Sequence, residues 1–296
     1  TATPAPNDHM ELGNHSEFLS VLPSYEMLSR WFINDTSTFG TYKLKGHAVT
    51  AFWDWVTSWA LCVGKPSDLG YSDEGYDLPP LNIVQHSLAV DVLQDRGDKL
   101  FRDPELSATR VHQEKRRTLA ARAAKVGALV VAEPAEPWIL WCDTNYEADA
   151  LKAAVPDAID VRGNMSDEKK EAALLGFSSG AILHIITKPK IAGFGLNWQH
   201  CRRMARIGPT FSYEQFYQEV RRAWRFGQLH PVDAHVVMGA TEVDVWNIMM
   251  RKSADHEAMK VEMFAAMRRA RSRESPTMQY NPTHVGRLPA WMENRA

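Results

Sequence analysis

WILWCDTNYEADALKAAVPDAIDVRGNMSDEKKEAALLGFSSGAILHIIT, Trp138 to Thr187, sets short apolar runs and amphipathic stretches in alternation. Trp138 to Cys142 is apolar and too short for a helix, whereas Tyr146 to Ala154 has helical spacing. Ile159 to Arg162 reads as a second strand. Ser166 to Leu175 reads as a second helix, opened by a serine cap and an acidic first turn. AILHIIT, Ala181 to Thr187, is a strand of the kind buried on both faces. Outward from this tract, Arg203 to Ile207 and Ala234 to Met238 supply two more strands, and Leu81 to Val92 has strand character. Strands alternating with helices predict an α/β domain over roughly 81–245, a parallel sheet with helices on both faces. Ligands bind such sheets where strands end and loops begin, and Thr187 to Asn197 is a glycine-containing loop of that kind.

Downstream lies FSYEQFYQEVRRAWRFGQ, Phe211 to Gln228, with Arg221, Arg222 and Arg225 on a run of helical spacing that Gly227 stops. Residues three apart share a helix face, so Arg222 and Arg225 are predicted to reach one anion. Arg221 is predicted to point about 100° away from Arg222. A guanidinium keeps its charge and grips phosphate oxygens through two prongs. The plainer reading is a solvated helix face, the usual place for surface charge.

The run QEVRRAWRFGQ resembles motif VI of the helicase superfamily two ATPases, a DEAD/DEAH-like group, in its Swi/Snf-type form Q-x-x-x-R-x-x-R-x-G-Q. Gln218, Arg222, Arg225, Gly227 and Gln228 fall on that pattern. AGFGLNW, Ala192 to Trp198, resembles motif V, with Gly193, Gly195, Leu196 and Asn197 matching. LWCDTN, Leu140 to Asn145, is similar to motif IV, and TATPAPND, Thr1 to Asp8, to motif III, which closes a first RecA-like domain. The LPP ending of the turn-rich tract Gly70 to Pro80 resembles the segment leading into the second.

The resemblance implies a RecA-like sheet and the C-terminal half of a phage or bacterial DNA helicase or translocase that uses ATP and Mg²⁺. Arg222 and Arg225 would be catalytic arginine fingers. Gly193, Gly195, Asn197 and Gln218 would hold the nucleotide, and Thr187 and Lys188 would contact the DNA backbone. This chain has Trp224 where the family usually has His, and Arg221 where a small or acidic residue is usual, so a third arginine is expected to crowd the site. G-x-x-x-x-G-K-[ST] does not occur, since Gly64-Lys65 is followed by Pro66, and Asp73-Glu74 sits in a polar, glycine-flanked loop. The resemblance therefore assigns the phosphate loop and the Mg²⁺ site to an N-terminal partner domain, and the chain alone is expected not to turn over ATP. A rival reading is a non-catalytic nucleic-acid-binding or assembly module on the same scaffold.

The implied organisation is the end of a first RecA-like domain over 1–10, a mainly helical insertion and linker over 11–80, the second RecA-like domain over 81–245, and a long C-terminal helix with a tail over 246–296. In the insertion Phe18, Leu19, Leu22, Met27, Leu28, Trp31 and Phe32 recur at helical intervals. Phe52, Trp53, Trp55 and Trp59 supply either core area or a base-stacking surface. Glu105 to Val131 reads as a basic helix carrying Arg110, Lys115, Arg116, Arg117, Arg122 and Lys125, by default a solvated face and otherwise a phosphate contact. Arg268, Arg269, Arg271 and Arg273 end the last helix, and Pro276, Pro282 and Pro289 mark an irregular tail.

At 296 residues and 45% hydrophobic content the chain can bury a substantial core. Its formal net charge of −2 makes no global case for nucleic acid, so any cationic surface must be local. Cys62, Cys142 and Cys201 are widely spaced with no Cys-x-x-Cys, which predicts reduced thiols and no metal site. No apolar stretch approaches the ~20 residues of a membrane span, so a cytoplasmic protein of a bacterial or phage-infected cell is expected, without membrane partners.

Overall fold

A computed structural model of the chain describes residues 3–34, 42–89, 115–193 and 195–273. Its centre is a six-stranded, all-parallel sheet of β3 (Leu81–Leu88), β4 (Trp138–Trp141), β5 (Ile159–Asp160), β6 (His184–Thr187), β7 (Arg203–Ile207) and β8 (Val232–Gly239), in the order β3-β8-β7-β4-β6-β5. This is the RecA-like arrangement, with helices on both faces.

The reason lies in how the strands distribute their side chains. Successive strand residues face opposite ways. In β4, Ile139 and Trp141 enter one core, with Phe177, Trp198 and Phe216, while Trp138 and Leu140 enter the other, with Val126, Leu151 and Ile207. All of WILW is therefore buried, as a strand covered on both faces requires. The second core is closed by α4 (Leu119–Ala132) and α5 (Asn145–Ala154). The first is closed by α6 (Asp167–Ser178), α8 (Tyr213–Val220) and Trp246 and Met249 near the start of α9 (Val243–Arg273). A short α7 (Pro189–Ala192) follows β6.

The N-terminal segment forms α1 (Leu12–Phe18), α2 (Ser24–Trp31), a small antiparallel pair β1 (Phe32–Asn34) and β2 (Tyr42–Leu44), and α3 (Val49–Val56). It has its own core, in which Ala5, Leu12, Met27, Phe32, Phe52, Trp53 and Val56 pack against Met259, Met263 and Ala266 of α9. The long helix thus joins the sheet through its first turns and the helical segment through its later ones. Phe52 and Trp53 are fully buried and Trp55 stacks on Trp31 at 4.5 Å between ring centroids, so this aromatic group is core rather than a base-stacking surface.

Several expected boundaries move. Phe18 and Leu19 are exposed, because α1 ends there and the chain turns away at Ser20 with φ 57°. Ser166 sits at the start of α6, but its hydroxyl caps no backbone N–H of that helix. The stretch from 90 to 114, with Arg110, lies outside the described residues. Of the basic helix expected over 105–131, the described part carries Arg116 and Arg117 exposed as read, but Lys115 and Arg122 are buried. Arg269 pairs with Asp54 at 2.7 Å and Arg268 is exposed. The Arg271 and Arg273 side chains and the tail with Pro276, Pro282 and Pro289 lie outside the described residues.

Candidate functional site

In the sheet order, β4 has its chain-order successors on one side and β7 on the other, so the connections after these strands diverge. A crevice opens at such a point. Here it is a cavity of about 460 Å³ at the carboxyl ends of β4, β6 and β7, bordered by Lys115, Asp143, Lys188, Lys190, Thr210 and Gln215, among others. Lys188 Nζ donates to Asn145 Oδ1 at 2.6 Å, and Lys190 is exposed.

Asp143 is the anion among these cations. Its carboxylate accepts from Lys115 Nζ at 3.1 Å, from Arg206 Nη2 at 2.7 and 2.8 Å, and from Gln215 Nε2 at 2.9 Å. Partial burial pushes the Asp143 carboxyl up, but the Arg206 and Lys115 charges outweigh it and hold the group well below the usual carboxylate range. Arg206 is 2% exposed and also binds the Glu219 carboxylate. Burial pushes Glu219 up to about 7, against the pull of Arg206. Beneath the cavity, Arg122 donates to Thr118 Oγ1 at 3.0 Å and to the Ile207 carbonyl at 2.9 Å. Gly208, at φ 114°, leaves the room: a Cβ there would lie 2.4 Å from Arg122 Nη1.

The second cluster joins the loop after α7 to the turn after α8. Arg222 Nη1 donates to the Leu196 carbonyl at 2.9 Å, Nε to the Gln218 carbonyl at 3.1 Å, and Nη2 to Gln218 Oε1 at 3.3 Å. Arg225 Nη1 reaches the same Leu196 carbonyl at 3.5 Å and also binds Asn197 Oδ1. Gln228 Nε2 fixes the base of the loop, donating to the Gln199 carbonyl at 2.8 Å and the Cys201 carbonyl at 3.1 Å.

Arg222 and Arg225 therefore meet, but not by sharing a helix face. The helix ends at Val220, and the arginines lie in turns where Trp198 N takes the Arg222 carbonyl at 2.8 Å. Arg222 is 6% exposed, and burial, with Arg225 beside it, lowers its proton affinity. Arg225 is half-buried. Arg221 does not crowd them, because its guanidinium lies over the rings of Trp224 and Tyr217 at 4.6 and 5.2 Å. Trp224 in turn donates its indole N–H to the Pro79 carbonyl at 2.7 Å, clipping the LPP segment to the site.

The remaining expected residues divide. Gly195 adopts φ 78° and faces open space, as a loop approached by a ligand would. Gly193 is demanded by its own turn, where a Cβ would lie 2.3 Å from the Pro189 carbonyl. Thr187 is fully buried and its hydroxyl has no hydrogen-bond partner, so Lys188, not Thr187, faces the cavity. Sequence reasoning passed over Asp143, Arg206, Gln215 and Glu219. A charge inside the apolar run RMARI was the available signal for Arg206. Among the described residues, no group of three or more His, Cys, Asp or Glu could hold a metal ion, and no helix is long and apolar enough to cross a membrane.

Residues 122–227, which carry both clusters except Lys115 and Gln228, match the family model described as Helicase conserved C-terminal domain. The chain thus contains a helicase C-terminal domain on its RecA-like sheet. Among solved structures it is similar to the C-terminal part of the Fun30 ATPase domain, with 14% identity and a TM-score of 0.39 over 49% of this chain; it spans 54% of that structure's length. No curated protein sequence matches it.

Proposed function

We propose that the chain is the C-terminal part of an ATP-dependent DNA helicase or translocase of the Swi/Snf type, from a phage or bacterial source and acting in the cytoplasm. The observation that carries this reading is the meeting of Arg222 and Arg225 at the Leu196 carbonyl, which brings two guanidinium groups together. Arg225, half-buried and bound to the Asn197 side chain, fits a phosphate oxygen of ATP presented from a partner domain. Such a nucleotide supplies the phosphoryl group to be transferred to water, and its Mg²⁺ belongs to the domain with the phosphate loop. In this division Arg225 neutralises charge at the γ-phosphate, while the more deeply buried Arg222 holds Leu196 and Gln218 in place. Arginine fingers of this kind are worth on the order of 10³ to 10⁵ in rate, or roughly 4 to 7 kcal/mol of barrier.

The lysine-bordered cavity supplies part of the nucleic-acid groove, through Lys188 with Lys115 and Lys190. Lysines placed at strand ends grip the phosphate backbone without reading sequence. A non-catalytic binding or assembly module is the rival, and the burial of Arg222 is what favours it. DNA-stimulated ATP turnover with Arg225 removed, measured in a protein that also has the phosphate-loop domain, separates the two.

A further inference from the structure

Helix α8 runs between the two clusters. Ser212 and Gln215 at its start border the cavity, and Arg221 at its end opens the arginine turn. Eight residues at 1.5 Å each make this distance about 12 Å. Its one buried charged side chain lies between them. Glu219, 1% exposed, accepts from Arg206 and from Gln215 Nε2 at 3.2 Å, while its backbone carbonyl accepts from Arg222 N at 3.2 Å. Its Oε2 has no hydrogen-bond partner.

We propose that Glu219, acting with Gln215, is a positioning residue that carries occupancy of the cavity to the arginine turn. The inference rests on the reading of the cavity as a site for DNA phosphate. Gln215 Nε2 has two hydrogens and two acceptors, Asp143 Oδ1 at the cavity and Glu219 Oε1 in the core. Arg206 is shared between the same two carboxylates. A phosphate oxygen that draws Lys115 or Gln215 towards itself takes a donor from Asp143. Arg206 then holds Asp143 more strongly and Glu219 less. Interactions at this depth are weakly screened, so the redistribution is felt along the helix rather than lost to water. The loosened Glu219 lies three residues before Arg222, whose backbone N–H donates to its carbonyl.

The state of Glu219 sets the strength of this link. Arg206 faces it from β7, Asp143 from the loop after β4, and Gln215 from its own helix; Lys115, Arg122, Glu147 and Glu242 make up the charge around them. Ionised, Glu219 competes with Asp143 for Arg206; protonated, it does so weakly. Coupling should therefore be strong above neutral pH and fade below it.

The Trp224 indole N–H, hydrogen-bonded to Pro79 inside the arginine turn, is the reporter. Its nitrogen-15 resonance in the full chain is assigned with Trp224→Phe and followed at saturating short duplex DNA, at about pH 8 and pH 6, either side of the Glu219 titration. The expected result is a DNA-induced shift at the higher pH that is lost at the lower one, and lost at both in Glu219→Gln although DNA still binds. An equal shift in Glu219→Gln, an equal shift at both pH values, or no shift at saturation overturns the proposal. If Glu219→Gln does not fold, the pH dependence of the wild-type shift decides alone. Absence of DNA binding at low salt refutes the phosphate reading of the cavity, and the coupling falls with it.

Discussion

Arg222 Nη1 donates to the carbonyl of Leu196 at 2.9 Å, across 26 positions of sequence, and so fastens the arginine turn to the loop after α7. Arg225 reaches the same oxygen from a longer distance and a more open position. The two arginines therefore differ in what their loss costs the fold. Arg222→Ala removes a buried guanidinium and leaves the half-buried Leu196 and Gln218 acceptors without its hydrogen bonds, a loss of about 1–3 kcal/mol. Arg225→Ala should stay within about 0.5 kcal/mol of wild type, as ordinary surface changes do. Urea denaturation of the two variants checks this; equal destabilisation would show that Arg225 is as structural as Arg222.

DNA binding should be weak, indifferent to sequence and steeply salt-dependent, because its source is release of counterions from phosphate. Removing one phosphate-contacting lysine lowers the salt slope by about one unit. Fluorescence anisotropy over a salt series, on wild type and Lys188→Ala, tests both statements. Binding that ignores salt, or an unchanged slope in the variant, would remove Lys188 from the groove.

Two buried or half-buried carboxylates should pull stability in opposite directions with pH. Glu219 is pushed up to about 7 in the folded chain, against about 4.3 for an ordinary glutamate. Between those values the folded form keeps a proton that the unfolded form has lost, so this residue's contribution falls as pH rises through the window. Asp143 is depressed; its contribution is present above the ordinary aspartate range and is lost as pH falls towards its folded value. Glu219→Gln should therefore show a shallower loss of stability from about pH 5 to pH 8 than wild type. Parallel curves for the two proteins would refute the assignment.

The sheet was legible because each strand declares itself twice, by its apolar length and by the turn chemistry around it. WILW and HIIT are buried along their whole length, as their composition demands. Gln218, Arg222, Arg225 and Asn197 lie together in the structure, though the helical spacing invoked for the arginines is not what joins them. Periodicity does not reveal where a helix stops, and it stops at Val220 because tertiary partners, Trp198 among them, take over the backbone of the turn. Lys115 and Arg122 were misread as surface charge for a related reason: their partners Asp143 and the Ile207 carbonyl lie 28 and 85 positions away. Asp143 lies in the motif IV stretch and Glu219 at a variable place of the motif VI run, so neither stood out, and only the fold shows that these two carboxylates share Arg206 and Gln215.

The chain by itself should release no appreciable phosphate from ATP, with or without DNA, because it has no glycine-rich loop ending in Gly-Lys-Ser/Thr to hold a triphosphate. Phosphate release is measured against protein concentration. Turnover proportional to the chain would contradict its role as one part of an ATPase.

The most direct measurement is DNA-stimulated ATP turnover in a protein where this chain works with a phosphate-loop domain. Arg225→Ala should lower it by about two orders of magnitude or more while DNA affinity holds. Arg225→Lys should not restore it, since lysine keeps the charge but loses the planar fork. Arg221→Ala, whose guanidinium lies on Trp224 and Tyr217, should matter much less. Near-normal turnover in a folded Arg225→Ala protein would contradict the account, leaving Arg225 as surface charge beside a loop that Arg222 holds.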